Sequence, residues 1–151
     1  MASMYSTFKT DSNLETSGIL VDYGSFRVKL ARAGGSNHKF TRMLEAETKP
    51  YRRQIETETL DKKVADKLFH KVYAHTVILN WEVLDGEKTD KDGGLVYKRG
   101  IEAPDGTLLP VTAENIITTF ENLPQLFEDI RTQATNFTLF RLEEQEADTK
   151  N

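Results

Sequence analysis

Ala31-Arg-Ala-Gly-Gly-Ser-Asn-His-Lys-Phe-Thr-Arg-Met-Leu-Glu-Ala-Glu-Thr-Lys-Pro-Tyr-Arg-Arg53 turns a strand into a helix while carrying a dense row of cations. Gly34-Gly35 supplies the reversal, and Ser36 or Asn37 offers a side-chain oxygen to the free N–H groups of a helix that starts there. Phe40, Met43, Leu44 and Glu47 then recur at three-four spacing, so a helix is predicted from Ser36 to Ile55. Pro50 should kink or divide it, because proline lacks an N–H and crowds the preceding turn. The stretch holds six Lys/Arg against two Glu and contains no nucleophile, metal cluster or phosphate cradle. Such a composition suits contact better than turnover.

Upstream, Phe26, Val28 and Leu30 alternate with Arg27 and Lys29, the period of a strand with one wet, cationic face. Asp22-Tyr-Gly-Ser25 supplies a reversal before it, which predicts an N-terminal β-hairpin over Gly18 to Ala33. Residues 1–17, rich in Ser and Thr without a sustained period, read as a flexible arm. Downstream, Leu60, Val64, Leu68, Val72, Thr76 and Leu79 form an i+4 stripe, predicting a long helix from Thr59 to Trp81. Between Glu82 and Pro110 the sequence becomes rich in Asp, Gly and Lys. Ala103-Pro-Asp-Gly106 fits a type I turn, across which Leu95–Ile101 and Thr107–Leu109 are expected to pair as a small surface hairpin. Thr112 is placed to cap a helix over Thr112–Glu121, and Asn122-Leu-Pro-Gln125 opens a last one reaching Leu142.

The resulting expectation is an α+β but mostly helical fold, with an N-terminal β-hairpin followed by four or five helices and a small surface hairpin. A single domain is assigned to residues 18–142, with an acidic flexible tail at 143–151. Its core is expected to take Phe26, Val28, Leu44, Val64, Leu68, Val72, Leu126 and Ile130.

Charge is unevenly spread over a sequence of net −4. From Phe26 to Arg53, eight cations (Arg27, Lys29, Arg32, Lys39, Arg42, Lys49, Arg52, Arg53) against two glutamates leave +6, whereas from Glu102 onward three Lys/Arg against ten Asp/Glu leave −7. Solvated helix faces would account for this. So would a partner surface, or head-to-tail association of copies into a homo-oligomer. Phe137, Leu139, Phe140 and Leu142 leave the last helix apolar on more than one side, which calls for burial or a partner and adds Phe137 and Phe140 to the candidate contact residues.

Chemistry finds little support. There is no cysteine, which excludes disulfides and thiolate ligands and accords with a reducing interior. No apolar run approaches the roughly 20 residues of a bilayer span, and Met1–Thr10 lacks the pattern of a signal peptide, so a soluble intracellular protein without membrane contact is expected. His70 and His75 lie about 140° apart around a helix and cannot share an ion. Lys88-Thr-Asp-Lys-Asp-Gly93 resembles a calcium loop, yet its first ligand position is Lys88 and its twelfth Arg99. Neither glycine-rich phosphate motif occurs, and Asn136-Phe-Thr138 is a glycosylation acceptor only in a secreted protein. No enzyme activity, metal or cofactor is expected.

Five blocks occur in order: Ala31–Phe40 of the opening stretch, Lys49-Pro-Tyr-Arg-Arg53, Val77-Ile-Leu-Asn-Trp81, Leu109-Pro-Val-Thr-Ala-Glu-Asn-Ile116 and Leu123-Pro-Gln-Leu-Phe-Glu-Asp-Ile130. In their order and spacing, over roughly Gly18 to Leu142, the sequence resembles the tail assembly chaperones of long-tailed bacteriophages. That resemblance implies a non-enzymatic helper in the host cell cytoplasm, absent from the mature virion, that binds the tape measure protein and keeps its long apolar helices soluble until tail tube protein polymerises around them. It also implies a longer, frameshifted form of the same protein as a further partner, with Glu143–Asp148 near the junction. The loop around Lys88 to Gly100 is longer than in similar proteins.

Two other readings compete: a structural tail or connector subunit of the virion, and a nucleic-acid-binding module using the basic segment 26–53. The acidic balance and a pI near 5.4 argue against nucleic acid.

Overall fold

The computed structural model describes residues 3–142. In sequence order the elements are α1 (Met4–Phe8), α2 (Ser12–Ser17), β1 (Ile19–Asp22), β2 (Phe26–Leu30), α3 (His38–Thr48), a 3-10 turn (Lys49–Tyr51), α4 (Arg52–Glu56), α5 (Lys62–Thr76), β3 (Ile78–Thr89), β4 (Leu95–Arg99), β5 (Ile101–Glu102), β6 (Leu108–Leu109), α6 (Ala113–Asn122), α7 (Pro124–Thr135) and a 3-10 turn (Phe137–Phe140).

The expectation of a mostly helical domain with an N-terminal hairpin and a small surface hairpin is corrected to a mixed α+β fold. The hairpin is half of a four-stranded antiparallel sheet in the order β1-β2-β3-β4, beside a separate two-stranded β5-β6 pair. The last turn expected of the long helix is instead the beginning of β3. The backbone leaves α5 at Thr76, and from Ile78 a β-branched and aromatic run takes over in which Trp81, Val83 and Asp85 are buried while Glu82 and Leu84 lie on the opposite face. Leu79, which continues the i+4 stripe in sequence, is 41% exposed.

Register follows the side-chain alternation. Val21 pairs with Val28 and Val28 with Trp81, while Phe26 pairs with Val83, so one face gathers the apolar residues. Tyr23, Phe26 and Trp81 stack along it with ring centroids 4.7 and 5.9 Å apart. The helices cover this face, contributing Phe40, Val72, Tyr73, Phe120, Phe127 and Ile130 to the core. On α5 burial deepens toward the C-terminal half, where Val72 and Thr76 of the expected stripe are buried together with His70, Tyr73 and Ala74. Val64 and Leu68 are only half-buried, whereas Val28, Val72 and Ile130 are fully enclosed.

Two smaller expectations are also revised. Leu95–Arg99 pairs with β3 instead of the segment after the type I turn, leaving only Ile101–Glu102 to pair with Leu108–Leu109. That turn closes with Gly106 N–H donating to Ala103 C=O at 2.8 Å. The last helix stops at Thr135, where Asn136 caps a 3-10 turn by accepting from Thr138 N–H at 3.1 Å. The predicted cap of α6 is present, with Thr112 Oγ1 accepting from Asn115 N–H at 3.1 Å.

Residues 4–17 form two short helices in place of an irregular arm. Asp11 caps α2, and the segment is fastened to the other end of the fold: Asp11 N–H donates to Phe140 C=O at 2.8 Å and Leu142 N–H to Lys9 C=O at 3.0 Å. The acidic tail at 143–151 lies outside the described residues.

Candidate partner-binding surface

The cationic segment divides by location. Arg27 lies on the sheet face turned away from the helices, where its Nη2 bonds Glu82 Oε1 at 2.6 Å and its guanidinium sits 3.7 Å from the centre of the Tyr97 ring. Arg32 turns inward to Glu15. The other six are exposed: Lys29 beside Leu20 in the sheet register, Lys39 and Arg42 one turn apart on α3, and Lys49, Arg52 and Arg53 around the 3-10 turn and α4. The eight cations therefore do not form one continuous patch. Five line the α3–α4 edge, and Lys29 belongs to the sheet.

Arg32 explains why the opening stretch folds as it does. Glu15, 2% exposed, binds the Arg32 guanidinium through one carboxylate oxygen and accepts from Ser36 N–H through the other at 3.3 Å, while its backbone carbonyl accepts from Arg32 N–H at 2.9 Å. Burial alone would push the Glu15 carboxyl up, but the bonds from Arg32 and Ser36 outweigh it and hold the group below its ordinary value of 4.5. Gly35 sits at φ +53°, and a Cβ there would run into the Glu15 carboxylate, so this position needs glycine for two reasons. Asn37 stands at the helix N-cap position without capping. Its amide instead donates to Arg32 C=O at 2.8 Å and Thr76 C=O at 2.9 Å, tying the turn to the end of α5. Sequence reasoning misses Glu15 because it lies in a Ser/Thr-rich segment. The available signal is Asp11, a strong capping residue one position before Ser12.

This clasp holds α2 in place and, through it, an apolar surface made by both ends of the fold. Phe8 stacks on Phe137 with centroids 5.6 Å apart, and Arg141 Nη1 donates to Thr7 C=O at 3.3 Å. Phe137 is half-buried and Phe140 fully buried, so Phe140 anchors the patch from beneath. What faces water is Met4 (67% exposed), Tyr5 (71%) and Phe8 (63%), with Leu139 and Leu142 beside them from the other end of the fold. Met4 and Phe8 share one side of α1 at i, i+4 spacing.

Fully burying a large apolar side group is worth about 1.5–3 kcal/mol, and this patch leaves several of them in water. Among the described residues, no three His, Asp or Glu side groups gather to hold a metal ion, and no helix is long and apolar enough to cross a membrane. No protein-family model matches the sequence, and neither a curated protein nor a solved structure matches it.

Proposed function

We propose that this protein is a tail assembly chaperone of a long-tailed bacteriophage, which holds apolar helices of the tape measure protein in solution before the tail tube closes around them. The observation that carries the reading is the Met4, Tyr5 and Phe8 surface, three neighbouring large apolar residues kept in water on a helix whose C-terminal flank is hydrogen-bonded to the body of the fold. Leaving such groups exposed is unfavourable unless a partner shields them. An apolar helix of that partner would do so by helix-to-surface packing. The exposed cations of α3 and α4 would add attraction for acidic residues on the partner and speed its encounter. The order of the five sequence blocks supplies the identity of that partner.

Co-expression is the direct test. With this protein present, the tape measure protein is expected in the soluble fraction and in a complex recovered by pull-down. If it is equally soluble alone and no complex forms, the chaperone reading is wrong. Finding the protein in purified virions would replace it with the tail or connector subunit.

A further inference from the structure

A cleft of about 600 Å³ lies between the sheet and α6, away from the surface formed by the two ends of the fold. Its wall on the sheet side is apolar, built from Phe26, Trp81 and Val83. The facing helix supplies Thr118 and Asn122, one turn apart, and the β5–β6 hairpin supplies Glu102. Among the described residues, Glu102 is the sole charged residue lining the cleft, and no Lys or Arg lines it. Glu102, Thr118 and Asn122 are exposed, and among the described residues their side groups have no hydrogen-bond or ion-pair partner within the protein, so they are open to a ligand.

A cleft of this size, mostly apolar with a few convergent polar groups, is the usual form of a binding site. Its chemistry narrows the occupant. An apolar wall beside one unpaired carboxylate favours an apolar group with a cation next to it, the first for the wall and the second for Glu102. The free amide of Asn122 can donate and accept, and the Thr118 hydroxyl can do the same, which complements a peptide backbone. Leu123, on the cleft wall, and Leu108, on the adjoining β6, are 52% and 47% exposed, so apolar surface continues past the cleft and suits a polypeptide better than a small molecule.

We propose that the cleft docks a polypeptide segment bearing a large apolar side group with a lysine or arginine beside it. The apolar group would enter against Phe26, Trp81 and Val83, the cation would rest on Glu102, and backbone groups would bond Thr118 and Asn122. This goes beyond the chaperone reading and does not depend on the partner being a tape measure protein.

Trp81 is the protein's single tryptophan and lines the cleft from the core, so its emission reports changes at that wall. The probe is a short capped peptide of leucine and lysine, too short to form a helix so that its backbone groups stay free, titrated into the full-length protein beside its leucine–glutamate counterpart. The expected result is a saturable change in Trp81 emission with the leucine–lysine peptide and weaker binding of the other. Glu102→Lys should reduce affinity roughly three- to tenfold, the range for a charge contact at a wet rim with repulsion added. Thr118→Phe, which fills the cleft, should abolish the emission change while circular dichroism stays native.

Equal binding of both peptides by wild type and Glu102→Lys would overturn the proposal, showing nonspecific apolar adsorption. So would a silent Trp81, or loss of the signal on Phe8→Asp, which would place the peptide on the terminal patch instead. Phenethylamine binding as tightly as the peptide would also overturn it in favour of a small-molecule site.

Discussion

Replacing Glu15 by alanine is expected to destabilise the fold by about 2–4 kcal/mol. The carboxylate is nearly sealed from water and satisfies two donors, the Arg32 guanidinium and the Ser36 N–H. Truncation leaves both without a partner. Breaking a fully buried pair from one side costs about 3–5 kcal/mol. Arg32 keeps 22% of its side-chain exposure, so water recovers part of that loss and the expected figure is lower. Most of the cost comes from stranding the partner, so Glu15→Met combined with Arg32→Met should be milder than Glu15→Ala alone.

The same clasp has a pH signature. The native Glu15 carboxyl titrates below its ordinary value of 4.5, so near that pH the unfolded state binds more protons than the native one. The contribution of Glu15 is therefore fully present above that value and is lost as pH falls through the lower native pKa. Urea unfolding of wild type and Glu15→Gln, followed from neutral pH to about pH 3, should show wild type losing more stability than the glutamine variant. A loss under about 0.5 kcal/mol in Glu15→Ala, or parallel pH curves for the other two proteins, would refute the clasp.

Ile130→Ala, at a fully enclosed site, should cost about 2–5 kcal/mol, while Leu68→Ala at a half-buried position of α5 should cost distinctly less; equal losses in urea melts would contradict that difference in burial. Tyr23 Oη donates to Asp129 Oδ2 at 2.5 Å, and burial followed by that bond pushes the phenol well above its ordinary value of 10.0. Burial raises the Tyr73 phenol as well, so ultraviolet titration should find a late-ionising phase that loses one tyrosine in Tyr23→Phe. His70 sits among Phe120 and Phe127 with Nδ1 unpaired. Burial lowers its pKa more than Asp66, Glu121 and Glu128 raise it, with Arg131 adding to the lowering. The unfolded imidazole therefore takes up its proton first, and stability should fall as pH drops below about 6.5. His70→Leu should flatten that slope in denaturant midpoints measured between about pH 7.5 and 5.5; an unchanged slope would count against it.

Local chemistry is legible in the sequence. The period-2 run from Phe26 to Leu30, the Thr112 cap and the Ala103–Gly106 turn each carry their geometry within a few residues. Non-local pairing is not. Val77 to Trp81 is a short apolar run that fits a buried helix or a strand equally well until its partner is known, and that partner, with Lys29 opposite Asn80, is distant in sequence. The candidate surface divides in the same way. Clustering of cations is visible, but Arg27 and Arg32 are occupied by Glu82 and Glu15, acids from other elements that no spacing rule links to them. The role of residues 4–17 stays hidden because an apolar patch shared by the two ends of the fold has no periodicity in either.

Light scattering of tape measure protein diluted from denaturant, with and without an equimolar amount of this protein, tests the central claim most directly. Wild type should suppress scattering, and Phe8→Asp with Leu139→Asp should fail to do so while retaining native circular dichroism. Equal suppression by wild type and the double variant would contradict the assignment of the terminal patch, and scattering unaffected by either would contradict the chaperone function itself.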